Sequence, residues 1–325
     1  MFSLREIGNK LYTGERSINV VGRAKLWFSI SALVIIVAVA GTALRGGFTF
    51  GIEFTGGSQF QLTAGENPDQ TKAVDAVHEV LPNSTPKVTV VGDADIRVQT
   101  EQVSGQESRE IRNALADAYG VKESAINTSF IGAAWGQDVT KQALIALIVF
   151  LIFVSLVMAI YFRTWKMSVA ALVALLHDLI ITAGIYGLTG LEITPAAVIG
   201  FLTILGYSLY DTVVVFDKIR ENTAKGHLSE ALTFGQAVNL SVNQTLVRSI
   251  NTSVVALLPV ASILIIGAFV LGAGTLRDIS LALFLGLFFG VYSTIFVASP
   301  LYALLRSKEP AIVKHNEKAL SIQSK

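Results

Sequence analysis

Six blocks of mostly apolar residues run through the chain, each about 18 to 27 residues long, enough for a helix to cross the hydrocarbon core of a bilayer. They cover Trp27 to Leu44, Gln142 to Phe162, Met167 to Leu188, Pro195 to Phe216, Ser249 to Gly272 and Ile279 to Leu305. Charged residues make up only 15% of the 325, against roughly 25% in soluble proteins, and this deficit excludes a single soluble globule. The expected fold is a polytopic α-helical membrane protein with six transmembrane helices.

Cations set the expected orientation. Residues 1–26 carry Arg5, Lys10, Arg16, Arg23 and Lys25. The loop after the second span carries Arg163 and Lys166, and that after the fourth Lys218, Arg220 and Lys225, with Arg248 at its end. The tail, 306–325, carries Arg306, Lys308, Lys314, Lys318 and Lys325. The alternate loops are poor in cations: none flanks Glu192, and Arg277 adjoins Asp278. Both termini are therefore expected in the cytoplasm. An alternative keeps the C-terminus inside: Ala38-Val39-Ala40 resembles a signal-peptidase site, although a 26-residue polar lead is long for a signal peptide.

Residues 46–140 separate the first span from the 142–305 helical region and are expected outside. This segment holds thirteen acidic and six basic residues and reads as a small α+β domain. Phe48 to Leu62 is β-rich with a break at Gly56-Gly57. Asn67-Pro68-Asp69 opens a helix that runs through Val80, with proline in its first turn. Lys87 to Val91 and Asp95 to Val103 alternate as strands around a Gly92-Asp93 turn. Ser108 to Tyr119 has helical spacing before Gly120, and Ala125 to Ile131 closes as a strand. The order β-α-β-β-α-β is that of a ferredoxin-like unit. Residues 217–248 read as a cytoplasmic connector, partly amphipathic, lying at the membrane surface or packing under the bundle.

The chain contains no cysteine, which excludes disulfides, thiol catalysis and thiolate metal sites. Net charge is +1, so global charge implies no nucleic-acid partner. Neither a Walker A pattern nor a dinucleotide-binding glycine motif is present, and no metal or cofactor is expected. The outer segment's single histidine, His78, lacks a nucleophile–base pattern around it, so the chain is not expected to be an enzyme.

The informative anomaly is the set of ionisable residues inside spans, each costing at least about 2.5–3.5 kcal/mol at a helix centre. His177 and Asp178 fall near the middle of the third span, Asp211 in the fourth and Arg248 at the start of the fifth. Thr203, Tyr207 and Asp211 recur every four residues, with Ser208 three before Asp211. Ser241, Thr245, Arg248 and Thr252 recur at threes and fours, with Asn251 beside them. Such neighbours share a helix face. Burial disfavours a charged carboxylate and a nearby guanidinium favours it. An Asp held between these influences can load and unload a proton: Asp211, Arg248, Asp178 and His177 are the candidate relay, with Asp211 and Arg248 the preferred pair and Ser208, Thr203, Asn251 and Thr252 a supporting polar stripe. Blander readings stay open: both aspartates can serve as packing hydrogen bonders, Arg248 can snorkel, and His177 can be a satisfied buried histidine. Gly286 and Gly290 form a small-residue face on the sixth span.

These motifs resemble the SecD/SecF family, most closely its SecF members, within the resistance-nodulation-division superfamily. The segment Gly206 to Asn222, GYSLYDTVVVFDKIREN, is similar to the signature after the fourth span. Ala174 to Thr182 (ALLHDLIIT), Gln244 to Ser253 (QTLVRSINTS) and Gly51 to Gly57 (GIEFTGG) support it. Glu53 stands where the family usually has Asp, and Tyr210 where it usually has Asn. The resemblance implies an inner-membrane protein that works with SecD, the SecYEG channel and YajC. It implies use of the proton-motive force to complete export of unfolded proteins, with Asp211 and Arg248 as a functional charged pair, a further intramembrane Asp supplied by SecD, and Glu53, Gly56 and Gly57 as the outer-domain motif. Two alternatives stand beside it: a non-coupling scaffold subunit, and a related proton-driven exporter of lipids or hydrophobes.

Overall fold

The computed structural model describes residues 4–65, 68–91, 94–162, 164–224, 228–267 and 274–324. The Gly92-Asp93 turn, Asn67, Arg163, Lys225, Lys325 and the end of the fifth block lie outside these residues. Among the described residues six helical segments are long and apolar enough to cross a membrane.

After a short helix α1 (Leu4–Thr13), the first span is Val21–Leu44, chiefly α2 (Ala24–Leu44). The others are α6 (Ala133–Phe162), α7 (Trp165–Thr189), α8 (Pro195–Thr223), α9 (Phe234–Ile265), and α10 (Gly274–Ser293) continued through a π-helical turn, Thr294–Ala298, into α11 (Ser299–Arg306). A last helix, α12 (Pro310–Gln323), folds back against the start of α9, where Asn316 Oδ1 accepts from the Phe234 amide at 2.8 Å. The bundle core centres on α7, whose Ala170, Ala171 and Ala174 are fully buried and whose Gly184 and Gly187 let Ala38 and Thr42 of the first span approach. By contrast, α6 and α9 expose most of their apolar side chains in the spanning part.

The helices outrun the apolar blocks. Ala133–Phe162 starts nine residues before the block at Gln142, inside the segment assigned to the outer domain. The 217–248 connector is not a separate surface element: 217–223 finish α8, and 234–248 are the first half of α9. Ala237, Val238, Ser241, Val242 and Thr245 are buried there, so a mixed apolar and small-polar face packs under the bundle. Two asparagines one turn apart complete it. Asn243 Oδ1 accepts from the Ile18 amide at 2.7 Å and Asn239 Oδ1 from the Val20 amide at 2.8 Å, fastening the extended segment before the first span.

The unit between the first two spans has β1 (Thr49–Phe50), a single turn α3 (Ile52–Thr55), β2 (Gly57–Thr63), α4 (Gln70–Val80), β3 (Lys87–Val91), β4 (Asp95–Thr100), α5 (Gly105–Tyr119) and β5 (Asn127–Ile131). Its antiparallel sheet has the order β3-β4-β2-β5. Alternation along β2 and β4 sends Phe60, Leu62, Ile96 and Val98 to a core with Val77 of α4 and Ile111 and Leu115 of α5. Arg97 and Gln99 fall on the other face. Pro68 lies ahead of α4 rather than in its first turn, because Asp69 is the cap and accepts from the Thr71 amide at 2.9 Å. Helix α5 begins three residues before Ser108, at a Ser104–Glu107 capping box, and ends at Gly120 with φ +65°. A further strand, β6 (Glu192–Ile193), lies between α7 and α8 and pairs in parallel with β1.

Candidate functional site

Helix phase decides which polar groups meet. On α8 the buried row is Ala197, Phe201, Ile204, Leu205, Ser208, Asp211, Thr212, Val215 and Ile219, a stripe at threes and fours. Ser208 and Asp211 therefore face inward. Thr203 does not: each four-residue step advances about 40° around a helix, and Thr203 is exposed, donating to the Ile199 carbonyl at 2.8 Å. Tyr207 is half-buried and Tyr210 exposed.

Asp178 of α7 is fully enclosed. Ser208 Oγ donates to its Oδ2 at 2.5 Å, and His177 Nδ1 lies 3.3 Å from its Oδ1. Gly290 of α10 makes the room: a Cβ there would lie 3.3 Å from Ser208 Cβ and 3.7 Å from Asp178 Oδ2. The small-residue face on the last span thus packs on α8 and α7, while Gly286 admits Ile204. The network extends both ways. The His177 ring stacks on Tyr292, whose hydroxyl donates to the Trp27 carbonyl at 3.2 Å and lies 3.2 Å from Ser31 Oγ. Thr212 and Thr294 hydroxyls are 2.9 Å apart, at the start of the π-helical turn. The third span is thereby tied through side chains to the first, fourth and sixth.

Asp211 has a different setting. Ser249 Oγ of α9 donates to its Oδ1 at 2.7 Å, while Oδ2 is buried with no partner among the described residues. Arg248 is exposed and makes no hydrogen bond or ion pair among the described residues, so the structure does not bring the expected pair into contact. The reason is again phase. The inward row of α9 runs Ser241, Thr245, Ser249 and Ser253 at strict fours, leaving Arg248 and Asn251 on the outward face and Thr252 half-buried. Nothing in the charge pattern points to Ser249, Thr212 or Thr294; the four-residue serine/threonine row is the available signal for Ser249.

The glycine motif joins the sheet unit to the bundle. Gly56 and Gly57 have φ of +74° and +137°, conformations that L side chains rarely adopt. A Cβ on Gly56 would lie 2.9 Å from Ala133 Cα, and one on Gly57 would meet the Thr100 carbonyl oxygen at 2.5 Å. Gly136 in turn passes close to the Phe54 carbonyl, so this turn seats the first residues of α6. Glu53 is half-buried in α3, its carboxylate beside Gly51. Among the described residues no three His, Cys, Asp or Glu side chains are grouped to hold a metal.

Residues 110–308 match the family described as protein export membrane protein SecD/SecF, C-terminal, and residues 46–67 match the SecD/SecF GG motif. Protein translocase subunit SecF of Streptomyces coelicolor is 44% identical over 326 residues, covering 99% of this chain and 85% of the relative. The subunit of the same name from Mycobacterium tuberculosis is 40% identical over 322 residues, covering 96% and 72%. The crystal structure of SecDF, a translocon-associated membrane protein from Thermus thermophilus, superposes with a TM-score of 0.78 at 30% identity. The match covers 90% of this chain and 39% of that longer one.

Proposed function

The chain belongs to the SecD/SecF family of protein export membrane proteins, and from that premise we propose that it is a proton-coupled accessory subunit of the Sec translocase. It works in the cytoplasmic membrane with SecD, beside the SecYEG channel and YajC, and draws exported unfolded proteins to the outer side. Both termini lie in the cytoplasm and the sheet unit lies outside, an orientation supported by the distribution of Lys and Arg. The strand order of the outer unit supports reading it as ferredoxin-like. The work is mechanical, with no bond chemistry assigned to the chain.

One observation carries the coupling reading: Asp211 is a buried carboxylate with one oxygen on Ser249 and the other without a partner among the described residues. A carboxylate in that state has a place for a proton. Loading it weakens the charge that holds Ser249 and draws Arg248 from the exposed face of the same helix, so α8 and α9 shift relative to each other. One elementary charge crossing 100 mV supplies about 2.3 kcal/mol, enough to bias two conformations of similar energy. Asp178 acts as the fixed tie of the bundle, since both its oxygens have partners.

The test is gradient-dependent release of a secreted protein from spheroplasts carrying Asp211→Asn. The variant should retain SecD and lose gradient dependence. Normal gradient-dependent release would refute the coupling reading, and loss of SecD would favour a scaffold role.

A further inference from the structure

The two carboxylate-bearing helices α7 and α8 are joined by a very short connection, and its centre is Glu192. This residue is held from three sides. Its backbone pairs with Thr49 of β1, the strand that follows the first span. Its side chain takes Gln99 Nε2 on Oε1 at 2.7 Å and Arg97 Nη1 on Oε2 at 3.2 Å, both from β4. Gln99 also donates to Gln59 of β2 at 3.1 Å, which spreads the contact across two strands.

The sequence pattern makes this possible. Ile96 and Val98 point to the helical core of the sheet unit, so the intervening Arg97 and Gln99 emerge on the opposite face, toward the bundle. The contact is enclosed: the Arg97 and Glu192 side chains retain only 13% and 14% of their exposure. Nearby, Thr194 caps α8 and donates to Asp278 Oδ2 of the last span at 3.0 Å, so the connection is braced on that side too. Lys87 of β3 lies within reach of the same charges. Burial depresses its ammonium, Glu192 opposes that effect and Arg97 adds to it.

We infer that Glu192 is the positioning residue through which movement of α7 and α8 is passed to the sheet unit, Arg97 and Gln99 being its receivers. The inference rests on the coupling reading above and deepens it. Motion of α8 that begins at Asp211 is delivered at the N-terminal end of the same helix, three residues from Glu192. The β1–β6 pair fixes where the connection sits, and the paired side chains fix its orientation against β4. A joint of this kind transmits because it stays closed.

The test uses the full chain in complex with its SecD partner, in vesicles with and without an imposed proton gradient. Hydrogen exchange is followed separately in α8–α9 and in β2 and β4, alongside gradient-dependent release of a secreted protein. Glu192→Ala should keep the gradient-induced change in α8–α9, lose it in β2 and β4, and lower release about tenfold, the scale of one charge-assisted hydrogen bond. Because the chain has no cysteine, a Gln99→Cys, Glu192→Cys variant can be bridged by a reversible bifunctional thiol reagent. Bridging should restore release, and reduction should remove it again. Two results overturn the inference while leaving the coupling reading intact: Glu192→Ala behaving as wild type where Asp211→Asn fails, or bridging that blocks release instead of restoring it. If Asp211→Asn itself keeps gradient-dependent release, the coupling reading fails and this inference with it.

Discussion

Asp178 and Asp211 sit on adjacent helices, and both are buried, yet one is enclosed by partners and the other is half-served. Around Asp178 three spans close tightly: Ser208 and His177 engage its two oxygens, and Gly290 lets the last span come near. Around Asp211 the one side-chain hydrogen bond among the described residues comes from Ser249, on a helix that leaves Arg248 and Asn251 exposed. A carboxylate with every oxygen engaged holds helices in register. One with a free oxygen beside a weakly packed helix can change its protonation without dismantling the bundle. Burial alone therefore does not mark a proton site; the number of partners and the packing of the helix that supplies them do.

That contrast makes a ranked set of expectations. Asp178→Ala should be the most damaging to stability, because it strands the Ser208 hydroxyl and the His177 ring, at about 1–3 kcal/mol for each group. Asp211→Ala strands one hydroxyl and should cost less; thermal unfolding of the detergent-solubilised protein compares them, and a reversed order would break the distinction. Gly290→Ala pushes a methyl against Ser208 and should cost about 1–3 kcal/mol by overpacking. The same unfolding measurement checks it, with no effect expected from Gly206→Ala beyond backbone propensity, since nothing lies within 4 Å of a Cβ there. Ser249→Ala should cost about 1 kcal/mol but impair gradient-dependent release more than its stability loss explains. Equal effects on both would make Ser249 a packing residue.

The smallest effect sets a baseline outside the membrane. Glu309 accepts from Arg306 and Lys166, and those hydrogen bonds hold its carboxyl below the usual range. A carboxylate lowered on folding adds stability above its unfolded pKa, and that stability is lost as pH falls through the lower folded value. For this partly exposed group the expected contribution is about 0.2–1 kcal/mol. Glu309→Gln should remove this acid-side slope, which begins near the unfolded carboxylate's pKa and ends below the folded one, roughly as one protonating group would, and leave stability unchanged once the carboxyl is protonated in both states. Unfolding midpoints across that range check it.

Much of the architecture was legible because its cause is long-range solvent chemistry. A block such as Met167 to Leu188 cannot be anything but a bilayer-spanning helix in this composition, whatever its neighbours do. Element ends were less legible, because the backbone continues past the apolar block wherever tertiary contacts reward it. Ala133 to Lys141 looks polar in sequence and is helix, seated by the Gly56–Gly57 turn. Residues 234–248 read as a partly amphipathic helical connector, but they run unbroken into the fifth span, with Asn239 and Asn243 holding the backbone of residues 18–20.

The candidate site divides in the same manner. Asp178, His177, Ser208 and Asp211 could be picked out because lipid rejects polar groups there, and all four are buried. Arg248 was paired with Asp211 by charge, but α9's phase puts it outside and Ser249 inside. Opposite charge is a long-range hint, whereas a contact needs the correct 100° step along the helix. Glu192 gave no signal beyond standing in a cation-poor loop. Its partners lie 93 and 95 residues away in sequence and meet it only once the sheet unit has folded.

The proposed division of labour gives proton coupling to Asp211 and a packing role to Asp178. The most direct test compares Asp211→Asn and Asp178→Asn for gradient-dependent release of a secreted protein, with SecD co-purification measured in both. Asp211→Asn should lose gradient dependence with the complex intact, and Asp178→Asn should retain it. Gradient-dependent release by Asp211→Asn equal to wild type, or its loss only in Asp178→Asn, would contradict it.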